Sequence, residues 1–349
     1  MRLYQKIFFI IFIIISIQGC VKQPKFTEEE KKITKPMENN TYFSDAFEKL
    51  NTLLFMFGQK KYKFQVKMIE NMTSDKGMPS DIRSFLATPI ILHIHNMELL
   101  AYTPIYSMRE AQIAGLTHFP KMKKNMPELV IGGAITQFDK GIISENINFD
   151  FDAEFGNGKG DTNLRMDHDR GDNISQIALD LNVFSHDDRS YIAGVATHNK
   201  IEIRKKRKKN RIGLFINGSG IGYSKYTTLQ QSKDEALRIL SEYSLLQLLG
   251  RLYNIPYWKC TTPNLEPDKL IVQRKINRFN NSKEKGKIKL IEELIVFYGY
   301  KVTIDEKISK DELMFLSLIA KNYNFKSKNK LTASFYKELY LSAPLFNKN

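Results

Sequence analysis

Cys20 has the clearest chemistry in this chain. Ile17-Gln18-Gly19-Cys20 follows an almost unbroken apolar run from Ile7 to Ile17, and Arg2 and Lys6 precede that run. About a dozen apolar residues are too few to span a bilayer core, which takes ~20, and they fit the h-region of a secretory signal. An aliphatic residue at the third position before the cut, a small residue just before it and then cysteine make the pattern of a bacterial lipobox. The expected chemistry is cleavage before Cys20 and diacylation of its thiol. Two or three acyl chains hold a protein far better than one, which binds only marginally. The alternative is an uncleaved anchor. Val21 is not aspartate, so the usual inner-membrane retention cue of enteric bacteria is missing. The expected location is the outer membrane, on its periplasmic side.

Other reactive residue types form no constellation. Cys260 is the second of two cysteines. With Cys20 acylated it has no partner, so no disulfide framework or CxxC pair is expected. His93-Ile94-His95 can place two ligands on one face of a strand, but no third ligand follows at metal-site spacing. His118, His168, His186 and His198 are scattered. Asp167-His168-Asp169 and His186-Asp187-Asp188 read as turns. Gly218-Ser219-Gly220-Ile221-Gly222 lacks the Lys-Ser/Thr of a P-loop and fails G-x-G-x-x-G. Neither enzyme activity nor a metal or cofactor is expected.

Two ribbons of alternating polarity carry the functional reading. In Ile147-Asn148-Phe149-Asp150-Phe151-Asp152-Ala153-Glu154-Phe155 every odd position is apolar and the even ones are polar or acidic. Nine such residues approach the roughly 9–11 of a transmembrane β-strand. Ile147, Phe149, Phe151 and Phe155 are then the lipid-facing candidates, and Asp150, Asp152 and Glu154 the lumen-facing ones. Gly156 to Asp161 is a hairpin turn. The second ribbon runs from Lys200 to Tyr223 around a basic tip. Arg204, Lys205, Lys206, Arg207, Lys208, Lys209 and Arg211 are its candidates for anionic headgroup contact, each gaining roughly 1 kcal/mol near such a surface. A soluble amphipathic hairpin and a solvated charge run remain the plain alternatives for the two ribbons. One hairpin cannot cross a bilayer alone, because its edges leave backbone groups unpaired in hydrocarbon. A membrane reading therefore demands a ring of identical chains sharing one barrel, with an acidic lumen that favours cations.

These ribbons need a scaffold, and the rest of the chain reads as α/β. Residues 20–41 are a polar tether. Residues 42–58 suit an amphipathic helix ending at Gly58. Residues 62–69 alternate as a strand, 71–79 form a loop, and 81–96 suit a helix bent or divided at Pro89. Residues 99–102 make a short strand, and Ser107 to Ala114 suits a helix. Strands follow at 128–138, 174–184 and 190–203. Lys233 to Tyr253 is a helix with Ser232 as its cap. A boundary near 256–267 separates an α/β domain at 42–260, with hairpins at 145–170 and 200–223, from a small, mostly helical second domain at 268–349. The net charge of +15 would suggest nucleic acid in a cytoplasmic protein. For an exported chain the counter-charge is lipopolysaccharide, anionic lipid or an acidic polymer, and no nucleic acid is expected.

Residues 128–253 resemble the curli secretion-channel family, the CsgG/HfaB-like outer-membrane lipoproteins. Ile131-Gly132-Gly133-Ala134-Ile135 matches that family's aliphatic-Glu/Gly-Gly-hydroxyl/Ala-Ile strand ahead of its first hairpin. Gln176-Ile177-Ala178-Leu179-Asp180-Leu181-Asn182-Val183 is similar to its Ile-Ala-Val/Leu-x-Leu-x-Val strand. The second hairpin and a long helix from Glu235 to Leu252 follow in the same order, and the lipobox agrees. The family's Asp-x-x-Thr-Gly-Glu is replaced by Phe184-Ser185-His186-Asp187-Asp188-Arg189-Ser190. The resemblance implies a nine-fold or similar ring with a periplasmic α/β cup, a shared barrel, and export of unfolded subunits without ATP. The family's pore constriction has a candidate counterpart in the Thr73 to Pro79 loop, which lacks the family's tyrosine, so the role is not carried over.

The tail resembles a peptidoglycan-binding domain through Leu290-Ile291-Glu292-Glu293-Leu294, Tyr298-Gly299-Tyr300, Asp305-Glu306-Lys307-Ile308 and Tyr336-Lys337-Glu338-Leu339. Glu306 stands where that family carries a turn glycine. A three-helix cap without a ligand is the alternative. The expectation is an oligomeric outer-membrane lipoprotein forming a secretion or assembly channel. Its partners would be the membrane, copies of itself and exported protein cargo. The alternatives are a periplasmic lipoprotein ring that scaffolds an envelope machine and touches peptidoglycan, and a lipoprotein that activates a peptidoglycan synthase.

Overall fold

A computed structural model describes residues 43–101, 126–143, 173–206, 211–216, 229–261 and 266–345. All of them belong to one compact unit, Thr41–Asn349. The strands are β1 (Lys63–Val66), β2 (Glu70–Asn71), β3 (Glu98–Leu100), β4 (Leu129–Ile143), β5 (Asn173–Ser185), β6 (Tyr191–Lys206) and β7 (Arg211–Ile216). The described helices are α1 (Ser44–Met56), α2 (Arg83–His93), α3 (Leu229–Tyr253), α4 (Lys269–Asn281), α5 (Glu284–Ile295), α6 (Lys310–Asn322) and α7 (Ala333–Ser342).

The strands form a mixed, open sheet in the order β3-β1-β4-β5-β6-β7, with β2 also paired to β4. β3, β1 and β4 run parallel, and β4 to β7 form an antiparallel meander. The α/β class is thus present, and among the described residues the sheet does not close into a barrel. β1 and β2 lie in succession along β4, so the strand read at 62–69 ends at Val66 and pairing resumes at Glu70.

Period-2 alternation builds the meander. Ile177, Leu179, Leu181 and Val183 of β5 are buried on the core side, together with Ile131 and Ile135 of β4 and Val195, Ile201 and Ile203 of β6. Each fully buried aliphatic side chain contributes ~1.5–3 kcal/mol. α3 lies across β5 and β6, flanked by α1 and α2. From Ile239 to Gly250 it is buried all round. α1 presents Ala46, Phe47, Leu50, Leu53 and Leu54 inward, the spacing of one helical face. It ends as expected at Gly58, whose φ of 56° suits glycine. The core of α4–α7 continues without a break into that of the α/β layer.

Two local readings are corrected, and of the two alternatives at Pro89 the division is removed. α3 begins at Leu229, so Ser232 lies inside the helix and is not its cap; Leu229-Gln230-Gln231 are good helix formers and extend it backward. α2 runs unbroken through buried Pro89. His93 ends that helix and His95 follows in a turn, so the His93-Ile94-His95 run is not a strand.

Candidate functional site: the hairpin end of the sheet and its joint with the helices

The backbone register sets Ile143 opposite Asn173, Asn173 opposite Lys205 and Lys205 opposite Ile212. These four positions form one row across β4–β7. The connections 144–172 and 207–210 therefore both leave from the same end of the sheet. β6 and β7 form the second hairpin, with Arg204 paired to Gly213 and Lys206 to Arg211. Arg207, Lys208 and Lys209 lie outside the described residues. So do Cys20, the lipid-facing candidates Ile147, Phe149, Phe151 and Phe155, and the lumen-facing candidates Asp150, Asp152 and Glu154.

The small-residue centre of β4 has a steric cause. A Cβ on Gly133 would fall 2.1 Å from the carbonyl oxygen of Asp180 on β5. Only glycine permits that approach. Nearby, the 71–79 loop is held by its own side chains. Asn71 Oδ1 accepts from the backbone N–H of Thr73 at 2.9 Å and from its hydroxyl at 2.6 Å. Asn71 Nδ2 donates to the Asp75 carbonyl. Gly77 N–H donates to Asp75 Oδ1 at 2.7 Å. An ion pair ties Asp75 to Lys140 of β4, and that hydrogen-bonded ammonium holds the Asp75 carboxyl below its usual range. Lys140 and Lys233 both lie over the Phe138 ring. The loop is thus clamped beside the strand segment that leads toward the hairpin end.

At the joint with the helices, a chain of buried polar groups runs from β6 to α4. Asn199 donates to Ser244 Oγ (3.0 Å) and Gln247 Oε1 (2.9 Å). Gln247 donates to the Tyr257 hydroxyl, which donates to Asp268 Oδ2 (3.2 Å). Asp268 caps α4 by accepting from Leu270 N–H, and it receives Arg251 Nε at 2.8 Å. Arg251 Nη1 donates to the Ala196 carbonyl, closing the path back to β6. Arg274 of α4 donates to the carbonyls of Arg251 and Ala193. It occupies the space where a Cβ on Gly194 would fall, 1.9 Å from Nη2. Sequence reasoning missed this joint. Its one local signal is Asp268 immediately before a helical period.

In the helical layer, Glu292 is 0 % exposed. Its Oε2 accepts from Glu306 N–H at 3.2 Å, and its Oε1 has no hydrogen-bond partner among the described residues. Burial, reinforced by the carboxylates of Glu312 and Asp305, raises its pKa. Glu306 has φ 65°, so the residue at the resembled family's glycine position adopts the left-handed conformation that glycine favours. Gly299 closes the turn after α5 with φ 85°. Ser309 and Glu312 form a capping box at the start of α6.

His198 pairs with Asp180 on the sheet, and His186 lies beside Asp187. Among the described residues no three His, Cys, Asp or Glu side chains are grouped to hold a metal ion. Among the same residues no helix is long and apolar enough to cross a membrane.

No family model matches the chain, and no curated protein matches it. Solved structures that are distantly similar include two bacterial proteins. One is a dodecameric variant of PelC from Paraburkholderia phytofirmans, 12% identical, covering 54% of this chain and 88% of that one at a TM-score of 0.25. The other is a hypothetical protein of Chlamydia trachomatis, 9% identical, covering 56% of this chain and 96% of that one at a TM-score of 0.28. At these scores neither likeness assigns this chain to a fold family or carries a function.

Proposed function

We propose that this protein is an exported lipoprotein, acylated at Cys20, whose copies assemble in the outer membrane into a ring or channel for moving protein out of the cell. The observation that carries the proposal is the register row Ile143–Asn173–Lys205–Ile212. Four adjacent strands send two connections from one end of the sheet. Copies arranged side by side would then bring their hairpins together, where backbone pairing between neighbours satisfies the N–H and C=O groups that one copy leaves bare. Asp150, Asp152 and Glu154 would repeat around the lumen. The basic tip from Arg204 to Arg211 would lie among anionic headgroups. The lipobox and the resemblance to the curli secretion-channel family support the same reading.

Electron microscopy of the detergent-extracted, acylated protein tests it. Rings with a stain-filled centre are expected. Lipid-soluble reagents should label cysteines placed at Phe149, Phe151 and Phe155 in these particles. A monomer whose cysteines at those positions are inert to such reagents sinks the channel.

A second reading is a periplasmic ring that scaffolds an envelope machine and touches peptidoglycan through residues 268–349. The left-handed Glu306 favours it, because the turn keeps the geometry that the resemblance to peptidoglycan-binding domains requires. Sedimentation of the full chain with purified sacculi decides it, and a chain left wholly in the supernatant removes it.

A further inference from the structure

We infer that the outer face of α6 is a docking surface for an anionic lipid bilayer. α6 has two distinct sides. Its inner side buries Glu312, Leu316 and Ile319, and Phe315 stacks on Tyr300 with ring centroids 4.3 Å apart. The fold is completed by that side alone. The outer side carries Leu313, Met314 and Leu318, which are 36%, 53% and 42% exposed. Met314 and Leu318 are four residues apart and share one helical stripe. Single exposed apolar residues are ordinary on protein surfaces, but three on one turn-and-a-half of helix form a patch.

Charge identifies what covers the patch. Lys310 and Lys321 are exposed at its two ends. Lys330 reaches over from the next segment and donates to the Leu313 carbonyl at 2.7 Å. Asp311 is the carboxylate on the exposed side, and Glu312 is turned inward within the capping box. Aliphatic side chains flanked by lysines are the composition of a helix that lies in a lipid interface. The apolar groups enter the acyl boundary and the ammonium groups meet phosphate. The proposal needs no acyl group, so its failure leaves the lipoprotein reading of Cys20 standing, and the reverse also holds.

The test uses the full chain carrying Cys20→Ala and Asn322→Cys, labelled with an environment-sensitive nitrobenzoxadiazole. Cys260 stays unlabelled because it is buried. Position 322 lies four residues beyond Leu318 on the same stripe. Phosphatidylglycerol vesicles are expected to shift the probe emission to the blue, and phosphatidylcholine vesicles to leave it unchanged. A probe at Glu284→Cys, on the exposed start of α5, stays unshifted. Met314→Gln with Leu318→Gln abolishes the shift at position 322. Lys310→Gln and Lys321→Gln each weaken vesicle binding about fivefold. Apart from Cys20→Ala, these substitutions are on exposed residues, and unchanged thermal unfolding verifies their folding. A shift equal in neutral lipid, or one surviving the double glutamine variant, overturns the proposal. So does a shift that grows with protein concentration in the absence of lipid, which would mark the face as a contact between copies.

Discussion

The joint between β6 and α4 and the interior beneath α5 both bury polar side chains, yet they handle them in opposite ways. At the joint, Asn199, Gln247, Tyr257, Asp268 and Arg251 form a connected path that begins and ends on β6. Beneath α5, Glu292 gives one oxygen to a backbone N–H and faces the carboxylates of Glu312 and Asp305. The first arrangement sets a carboxylate side chain against a guanidinium and links both to hydrogen-bond partners. The second favours a proton on the carboxyl. Burial alone therefore does not set the role of a polar group; its partners do.

The comparison breaks most sharply at Asp268. Asp268→Ala strips Arg251 of its partner while the guanidinium stays 16% exposed, and removing one member of a buried pair costs ~3–5 kcal/mol. Urea unfolding of the full chain should show that loss. A loss near zero would mean that water reaches the joint. Gly133→Val is the steric counterpart, since the added Cβ meets the Asp180 carbonyl at 2.1 Å. A cost of roughly 1–3 kcal/mol or more is expected from overpacking, read as a lower urea midpoint. Ser309→Ala removes the N-cap of α6 and should cost about 1 kcal/mol, with hydrogen exchange rising first at Glu312, whose N–H it binds.

Glu292→Gln sharpens the contrast with the smallest change. The folded-state pKa of Glu292 is raised above its unfolded value. Its stabilising contribution is therefore complete below the unfolded pKa and fades as pH rises through the folded one. Tm measured from pH 4 to pH 8 should fall less steeply for Glu292→Gln than for the parent protein. Parallel curves would show that Glu292 titrates normally.

Much of the scaffold was legible because its signals are local. The alternation of β5 and the stripe of α1 up to Gly58 each depend on residues a few positions apart. The start of α3 was not, because Ser232 is a residue type that caps helices while the residues before it also favour helix. The joint was illegible for a different reason. Arg251 reaches Ala196, and Asn199 reaches Gln247, across about fifty positions, and no spacing rule connects such pairs. Within the stretch from Pro256 to Pro267, read as a boundary, Tyr257, Trp258 and Cys260 are buried. The hairpin candidates gained their common row only from pairing partners, which a single ribbon of sequence does not name.

That row has a practical consequence for anyone handling the protein. The rung joining Lys206 to Arg211 is the last among the described residues, so an epitope spliced between Lys208 and Lys209 leaves every described rung intact. Antibody reaching such a handle on whole cells, before and after the envelope is opened, would report which compartment the tip occupies.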